Sequence, residues 1–566
     1  MVKNIVNHGI YGKEPLFDVR EVNTIREIFE SSTALFADRI AFLQKYSMNS
    51  AYKEITFKEF RNDVYSFATG LIDIGLKDKK IAVIGESRYE WVTTYMSVVC
   101  GVGTIIPIDK ELPYEEVKFL LDFSEASCIV CSKAILNKMP ELMTATPKCI
   151  CMETYEGCES FDEICIRGRK LIMDGNDAFE KTIVQPDDVN IILFTSGTTG
   201  TAKGVMLTHK NIASTIMNAT SLFEITPNDR SFSVLPIHHT YECSGTFLCF
   251  FYSGASIAFC QGLKYLVKNM QEAKPTMVCV VPMILEAIRK NIEKTLEKKG
   301  KTATVKKAVK ISRGLLKVGI DVRRKLFKEI IATFGGELKS FLVGAAKVDP
   351  DTLAFYRDLG IDSLQGYGMT ECAPFIAVNR HCRYNDDSAG LPCPEVEVKV
   401  VNPDANGVGE FAVRGENVMV GYYNNPEETD KVLVDGWLMT GDLGYMKDGF
   451  IFITGRAKNL IITNNGKNVY PEEIEEYLLR SKYVQECMVY AGDDNNIAAK
   501  IFPNFEEVEA TLGTEYTDEA LKTLIGDEIK EINKNIPSYK AIAEFSIRKE
   551  EFIKTTTKKI KRTANM

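Results

Sequence analysis

Over the first 180 residues, helical patterns alternate with short apolar runs such as KIAVIG (Lys80–Gly85) and CIVC (Cys128–Cys131), and this alternation constrains the fold most. Parallel strands need crossover connections and are buried on both faces, so they read as unbroken apolar runs separated by helices. The pattern predicts a layered α/β body with a largely parallel sheet. A chain of 566 residues exceeds one ordinary core and should hold at least two bodies. After FITGRAKN (Phe452–Asn459) the pattern becomes short and α+β. LIIT reads as a strand, and Pro471 opens the helix PEEIEEYLLRS with an acidic first turn. ECMVYAG and NIAAKIF read as strands and DEALKTLIGDEIKEINKNI as an amphipathic helix. The expected division is a large multi-subdomain body over 1–456 and a small C-terminal domain over 457–566.

An apolar share of 45% and a charged share of 26% belong to a soluble globular protein, and a net charge of −8 argues against non-specific nucleic-acid binding. The N-terminal MVKNIVNHGIYGKEPLFDVREVN lacks the apolar run of a secretory signal, which predicts a cytoplasmic protein. The uncharged stretch Trp91–Ile108 contains Ser97, Gly101, Gly103 and Pro107, and reads as a buried helix running into a strand rather than a membrane span. Fifteen cysteines without framework spacing indicate a reducing compartment, and the pair Cys128 and Cys131 lies in an apolar run that reads as a packed strand. His238 and His239 are adjacent but lack the companion spacing of a zinc site.

Between Arg289 and Lys328 stand fifteen Lys or Arg against three Asp or Glu, and Val305, Ala308, Val309 and Ser312 recur at helical spacing. Two readings of this helix stay open: a solvated face, or a patch drawn to an anionic membrane surface or a polyanionic substrate.

FTSGTTGTAKGV (Phe194–Val205) is poor in packing atoms and rich in donors, a composition suited to wrapping phosphate. The Walker pattern fails, because the second glycine would fall on Ala202 and Lys203 is followed by Gly204 rather than Ser or Thr. NIILFT before the loop and GVMLT after it read as strands, and a helix begins at Thr208 with Ile212, Ile216, Ala219 and Phe223 at helical spacing. The loop is therefore predicted to be the tip of a hairpin, a flap whose hydroxyls, backbone N–H groups and Lys203 ammonium fold over a polyphosphate.

TSGTTGTAKGV resembles the phosphate loop of the adenylate-forming superfamily of acyl-CoA synthetases, luciferases and peptide-synthetase adenylation domains, with Ala202 in place of the family's proline. Further motifs follow in the family's order over nearly the whole chain: LPIHHTYE (Leu235–Glu242), LQGYGMTEC (Leu364–Cys372), GYYNNPEET (Gly421–Thr429), MTGDLGY and GRAKNLI. The resemblance implies a large α/β N-terminal adenylation body and a small mobile α+β C-terminal lid domain, using ATP and Mg²⁺ with CoA as co-substrate.

It also implies roles for particular residues. Thr195, Ser196, Gly197, Thr198, Thr199, Gly200 and Lys203 would hold the ATP phosphates, Glu371 with Thr195 the Mg²⁺, and Thr370 the α-phosphate. His239 would lie near the acyl carboxylate. Gly344, Ala345 and Ala346 would wall the adenine, and Gln365, Gly366, Tyr367, Gly368 and Met369 would form its pocket, with Tyr367 stacked on the base. Asp442 would accept from the ribose hydroxyls, assisted by Arg456. Aligned on Ile560 and Arg562, Lys559 takes the place of the family lysine that bridges the acyl carboxylate and α-phosphate, with Lys558 the alternative. Lys458 matches the hinge, and Asn465 and Gly466 would face the pantetheine arm of CoA.

Amino-acid-activating relatives carry an aspartate near LPIHHTYE, where only Glu242 is acidic here, so an amino acid is not the expected substrate. The apolar run CSGTFLCFFYSGASIAF could line a tunnel for an alkyl chain or form core helix. The long separation of His239 from Tyr367, with HHTYE, most resembles long-chain fatty acyl-CoA synthetases. This implies an ATP-dependent ligase of a medium- or long-chain fatty acid and CoA, releasing pyrophosphate, with peripheral contact at the inner membrane surface a further expectation. One alternative is a fatty acyl-AMP ligase that loads an acyl carrier protein. Another is a non-catalytic nucleotide-binding homologue.

Overall fold

The computed structural model describes residues 14–47, 49–195, 202–463, 467–554 and 559–566. They fall into two units, one built from residues up to 398 with 413–438 and 447–451, the other from 399–412, 439–446 and 452–566.

Two sheets organise the larger unit. The eight-stranded sheet runs in the order Gly421–Tyr422, Lys203–Thr208, Val189–Thr195, Gly103–Ile108, Lys79–Ile84, Cys128–Cys131, Lys148–Cys151 and Glu159–Ser160. Its strands from Val189 to Glu159 pair in parallel, and only the edge beyond Val189–Thr195 turns antiparallel. The nine-stranded sheet has the order Leu391–Pro392, Phe375–Val378, Asp362–Gly368, Ser340–Val343, Met277–Val280, Arg230–Ser233, Ser256–Phe259, Ile40–Gln44 and Lys53–Thr56, again parallel in the middle and antiparallel at both edges. Central parallel strands lie between helical layers, which is why Ile81–Ile84 and Cys128–Cys131 are wholly buried.

The helices Phe57–Asp73 and Phe161–Met173 both begin with a capping box, Thr56 with Glu59 and Ser160 with Glu163. They cross at glycine. A Cβ on Gly168 would sit 1.8 Å from the Ser66 carbonyl oxygen, and one on Gly70 would sit 2.4 Å from that of Ile164.

Several sequence expectations are met. Trp91–Ile108 is helix to Ser97, a π-turn over Val98–Val102 and then a strand. Val189–Thr195 and Lys203–Thr208 form an antiparallel hairpin, and Thr208 caps the helix His209–Thr220. The basic segment contains the helix Thr302–Leu316, whose Val305, Ala308 and Val309 pack on the core while Ser312 is buried. The run beginning at Cys243 is buried helix followed by the strand Ser256–Phe259. Cys128 and Cys131 are free, buried thiols. Apart from these expectations, among the described residues no helix is long and apolar enough to cross a membrane, and no group of three or more His, Cys, Asp or Glu side chains is placed to hold a metal ion.

In the smaller unit, the antiparallel strands Val484–Ala491 and Ile497–Pro503 gain Glu544–Ile547 as a parallel third. The helices Pro471–Leu479 and Asp518–Lys534 bury Ile474, Leu478, Leu521, Ile525 and Ile529 in the same core. Two elements were not foreseen. The helix Phe505–Leu512 buries Val508 alone, and Glu544–Ile547 has no fully buried residue, so neither carries a strong apolar period. LIIT is a strand only over Ile461–Ile462.

Candidate active site

In the larger unit, the expected residues gather where parallel strands end. Loops leave an open α/β sheet at the carboxyl ends of its strands, where backbone polar groups are free to meet a ligand. Gly344, Ala345 and Ala346 follow Ser340–Val343, and Gln365, Gly366, Tyr367 and Gly368 complete the adjacent strand, with Val343 in register with Gln365. His239 follows Arg230–Ser233, its N–H donating to the Pro236 carbonyl at 3.1 Å and its ring 4.7 Å from that of His238. His238 in turn lies 3.4 Å from Asp109.

Small side chains matter at Gly344. A Cβ there would stand 3.0 Å from Tyr241 Cζ, and the Tyr241 hydroxyl is anchored by donating to the Leu342 carbonyl at 2.7 Å. Ala345 and Ala346 are exposed, and Ala345 has a left-handed backbone with φ of 70°. At Gly368 a Cβ would lie 2.0 Å from the Pro374 carbonyl oxygen, so the chain can fold back there. It does so through Met369 and the turn Thr370–Cys372 into Phe375–Val378, leaving Thr370 and Glu371 half-buried at the tip of the resulting hairpin. The Gln365 side chain is used internally, accepting from the Val348 N–H at 3.0 Å and donating to the Ser388 carbonyl at 3.3 Å.

Thr195 and Lys203 are the last register pair of their hairpin, the Thr195 hydroxyl donating to the Lys203 carbonyl at 3.5 Å. Ser196, Gly197, Thr198, Thr199 and Gly200 lie outside the described residues. The Lys203 ammonium donates to Glu428 Oε2 at 2.5 Å and stands 5.0 Å from the centre of the Tyr422 ring. The Tyr422 hydroxyl donates to Glu371 Oε1 at 2.9 Å. Burial, then the Glu371 charge, raises the Tyr422 pKa, which keeps that hydroxyl a donor. The lysine amines of Lys203 and Lys431 hold Glu428 down at about 2. The structure thus joins a loop lysine to a turn carboxylate through one tyrosine. GYYNNPEET was named as a motif with no role for its residues, so Tyr422 and Glu428 were missed as neighbours of Lys203 and Glu371. Their signal was an aromatic and an acid in a motif already recognised.

Glu242, the lone acid of LPIHHTYE, is fully buried and accepts from the Thr246 hydroxyl at 3.0 Å. Desolvation pushes its carboxyl up to about 8.

In the smaller unit, Asp442 is buried and its Oδ1 lies 2.6 Å from Arg456 Nε. The Asp442 N–H donates to the Thr440 hydroxyl at 3.1 Å, which donates to the Phe411 carbonyl at 2.9 Å. Lys559 keeps solvent contact, yet desolvation and then Arg456 lower its pKa, with Asp442 acting in the opposite sense. Asp442, Arg456 and Lys559 therefore act on one another electrostatically. Lys458 is lowered likewise, by desolvation, Arg456 and Arg562. Lys558, Asn465 and Gly466 lie outside the described residues.

Comparison with known proteins extends these likenesses over most of the chain. Residues 29–423 match the model of the AMP-binding enzyme family, and residues 458–566 match that of the AMP-binding enzyme C-terminal domain. A long-chain fatty acid–[acyl-carrier-protein] ligase of Arabidopsis thaliana is 26% identical over 90% of this chain and 80% of its own. Long-chain fatty acid–CoA ligase 5 of Rattus norvegicus is 28% identical over 84% of this chain and 74% of its own. A long-chain fatty acid–CoA ligase of Mycobacterium bovis is 26% identical over 91% of both. Among solved structures, an anthranilate CoA ligase with anthranoyl-AMP superposes with a TM-score of 0.74 at 19% identity, covering 98% of this chain and 97% of the other. The o-succinylbenzoate CoA synthetase of Bacillus subtilis with ATP and magnesium gives 0.72 at 21%, covering 95% and 98%. With the hairpin loop and the Thr370–Glu371 turn inside the first family match and the Lys559 tail inside the second, the chain belongs to the AMP-binding enzyme family.

Proposed function

We propose that this protein is an AMP-forming ligase that joins a medium- or long-chain fatty acid to CoA through an acyl-adenylate. The observation that supports the reading is the line from Lys203 through Tyr422 to Glu371, which brings to one aromatic side chain a cation and a carboxylate, the groups that a polyphosphate and its metal call for. Support also comes from relatives named as long-chain fatty acid ligases of CoA or acyl carrier protein.

In the first half-reaction a fatty carboxylate oxygen attacks the α-phosphorus of ATP, the bond to the β-phosphate oxygen breaks, and pyrophosphate leaves. Charge gathers on both sides of phosphorus, so cations and donors matter more than a base. Lys203 with Thr195 and the loop residues 196–200 holds the departing phosphates, and Thr370 donates to the α-phosphate. Gly344, Ala345, Ala346 and Gln365 to Met369 form the adenine site, Asp442 and Arg456 hold the ribose, and Lys559 meets the acyl carboxylate and α-phosphate. His239 lies by that carboxylate. Glu371 suits Mg²⁺, because it offers hard oxygen donors, one of them oriented by Tyr422. Mg²⁺ supplies charge neutralisation of the phosphates when bound. In the second half-reaction the CoA thiol attacks the acyl carbonyl and AMP leaves, with Asn465 and Gly466 facing pantetheine after the domain 457–566 turns at Lys458.

We further propose peripheral contact with an anionic membrane through the helix Thr302–Leu316 and the residues after it. Support comes from Ile311, Val318 and Ile320, which are 61%, 71% and 52% exposed among the lysines of that segment.

A panel of fatty acids scored for AMP and pyrophosphate release, with CoA and with holo acyl carrier protein, tests the reading. Turnover with CoA is expected; turnover with the carrier protein alone would transfer the function to the alternative ligase, and ADP as product would remove it.

A further inference from the structure

The Lys203 ammonium already has an anionic partner. Glu428 Oε2 lies 2.5 Å away, in a pair whose side chains are only 16% and 28% exposed. Glu428 sits on the short helix Pro426–Val432, where the Asn425 side chain accepts its N–H at 3.1 Å. Thr429, one residue on, binds the Asn425 carbonyl at 2.8 Å and accepts from the Tyr422 N–H at 2.9 Å. One turn therefore fixes both the carboxylate that holds Lys203 and the aromatic ring beneath it.

Resting on the proposed function, we infer that Glu428 is a positioning residue, the resting counter-ion of Lys203, which the β- and γ-phosphates of a nucleotide must displace. A carboxylate and a phosphate both offer an ammonium charged oxygens, so they compete for one cation. Tyr422 keeps the ammonium over its face during the exchange, because cation–π attraction does not depend on which anion is bound. Lys431, 2.6 Å from the other Glu428 oxygen, draws the carboxylate charge away and makes release easier. Glu428 thus costs nucleotide affinity and in return keeps Lys203 extended and ordered. Glu428 and Lys431 therefore act on nucleotide affinity with opposite sign, which a purely structural ion pair would not do.

The test is ATP and AMP binding to the full-length protein by calorimetry. Glu428→Gln, a near-isosteric loss of charge, is expected to tighten ATP binding about five-fold, the scale of a partly exposed ion pair. AMP, which lacks the outer phosphates, should bind as before. Lys431→Gln should weaken ATP binding about two-fold, and this effect should vanish when combined with Glu428→Gln. Unchanged or weaker ATP binding by Glu428→Gln, or an equal change for AMP, overturns the inference alone. A wild-type protein that binds no ATP overturns the proposed function and this inference with it.

Discussion

Tyr422 donates its hydroxyl to Glu371 across 2.9 Å. A carboxylate with one oxygen so held has fewer orientations to lose when it meets a cation, which is how an outer partner raises metal affinity. Tyr422→Phe keeps the ring near Lys203 and removes only the hydroxyl. Pyrophosphate exchange titrated with Mg²⁺ should need about ten-fold more metal for half-maximal rate, with little change in Tm. An unmoved Mg²⁺ curve would deny Tyr422 this role.

Lys559 reports on Asp442 and Arg456 through its pKa. Its ammonium form is disfavoured by desolvation and by Arg456 and favoured by Asp442. Adenylation that needs a charged Lys559 falls as pH rises through that lowered pKa. Arg456→Gln should shift the alkaline limb of the pH profile upward and Asp442→Asn should shift it downward. Shifts of the same sign would show that the tail lysine does not respond to this pair.

Glu242 sets a second pH dependence, in stability. Its folded pKa of about 8 exceeds the ordinary 4.5. The folded protein therefore holds a proton that the unfolded chain releases, so this contribution is present below the lower value and is lost as pH rises toward the higher one. Glu242→Gln removes the titration. Thermal melts should show the variant gaining several degrees on the wild type at pH near 8 and little near pH 4.5, a difference on the order of a few kcal/mol. Parallel melting curves at both pH values would contradict it.

Gly168 tolerates no side chain, with the Ser66 carbonyl 1.8 Å from where a Cβ would be. Gly168→Ala must push the two helices apart and should destabilise by about 1–3 kcal/mol, as overpacking does. Denaturant unfolding measures this, and a variant of wild-type stability would refute the contact.

The basic helix offers a test in lipid. Lys306, Lys307 and Lys310 are exposed on it. Replacing all three with glutamate should weaken binding to anionic vesicles at least ~100-fold, at roughly 1 kcal/mol per basic residue lost near the surface. Co-sedimentation that does not change would end the membrane proposal.

Much of this molecule is legible along the chain, because the forces that shape it are local. Alternating apolar runs and helices announce a parallel sheet, Pro471 and Thr208 mark where helices begin, and two strands flanking the glycine-rich segment declare a hairpin. Motif order named the candidate residues. It did not say that Gln365 spends its side chain on Val348 and Ser388, since burial of an amide depends on what packs over it. Nor did it pick out Tyr422 and Glu428. Glu428 lies 225 residues from Lys203 and Tyr422 lies 51 from Glu371. Ion pairs and hydrogen bonds act over a few ångströms and carry no trace of chain separation. Periodicity and turn chemistry were thus set by the sequence alone, whereas the identity of each cation's partner waited for the sheet edge that lays Gly421–Tyr422 beside Lys203–Thr208.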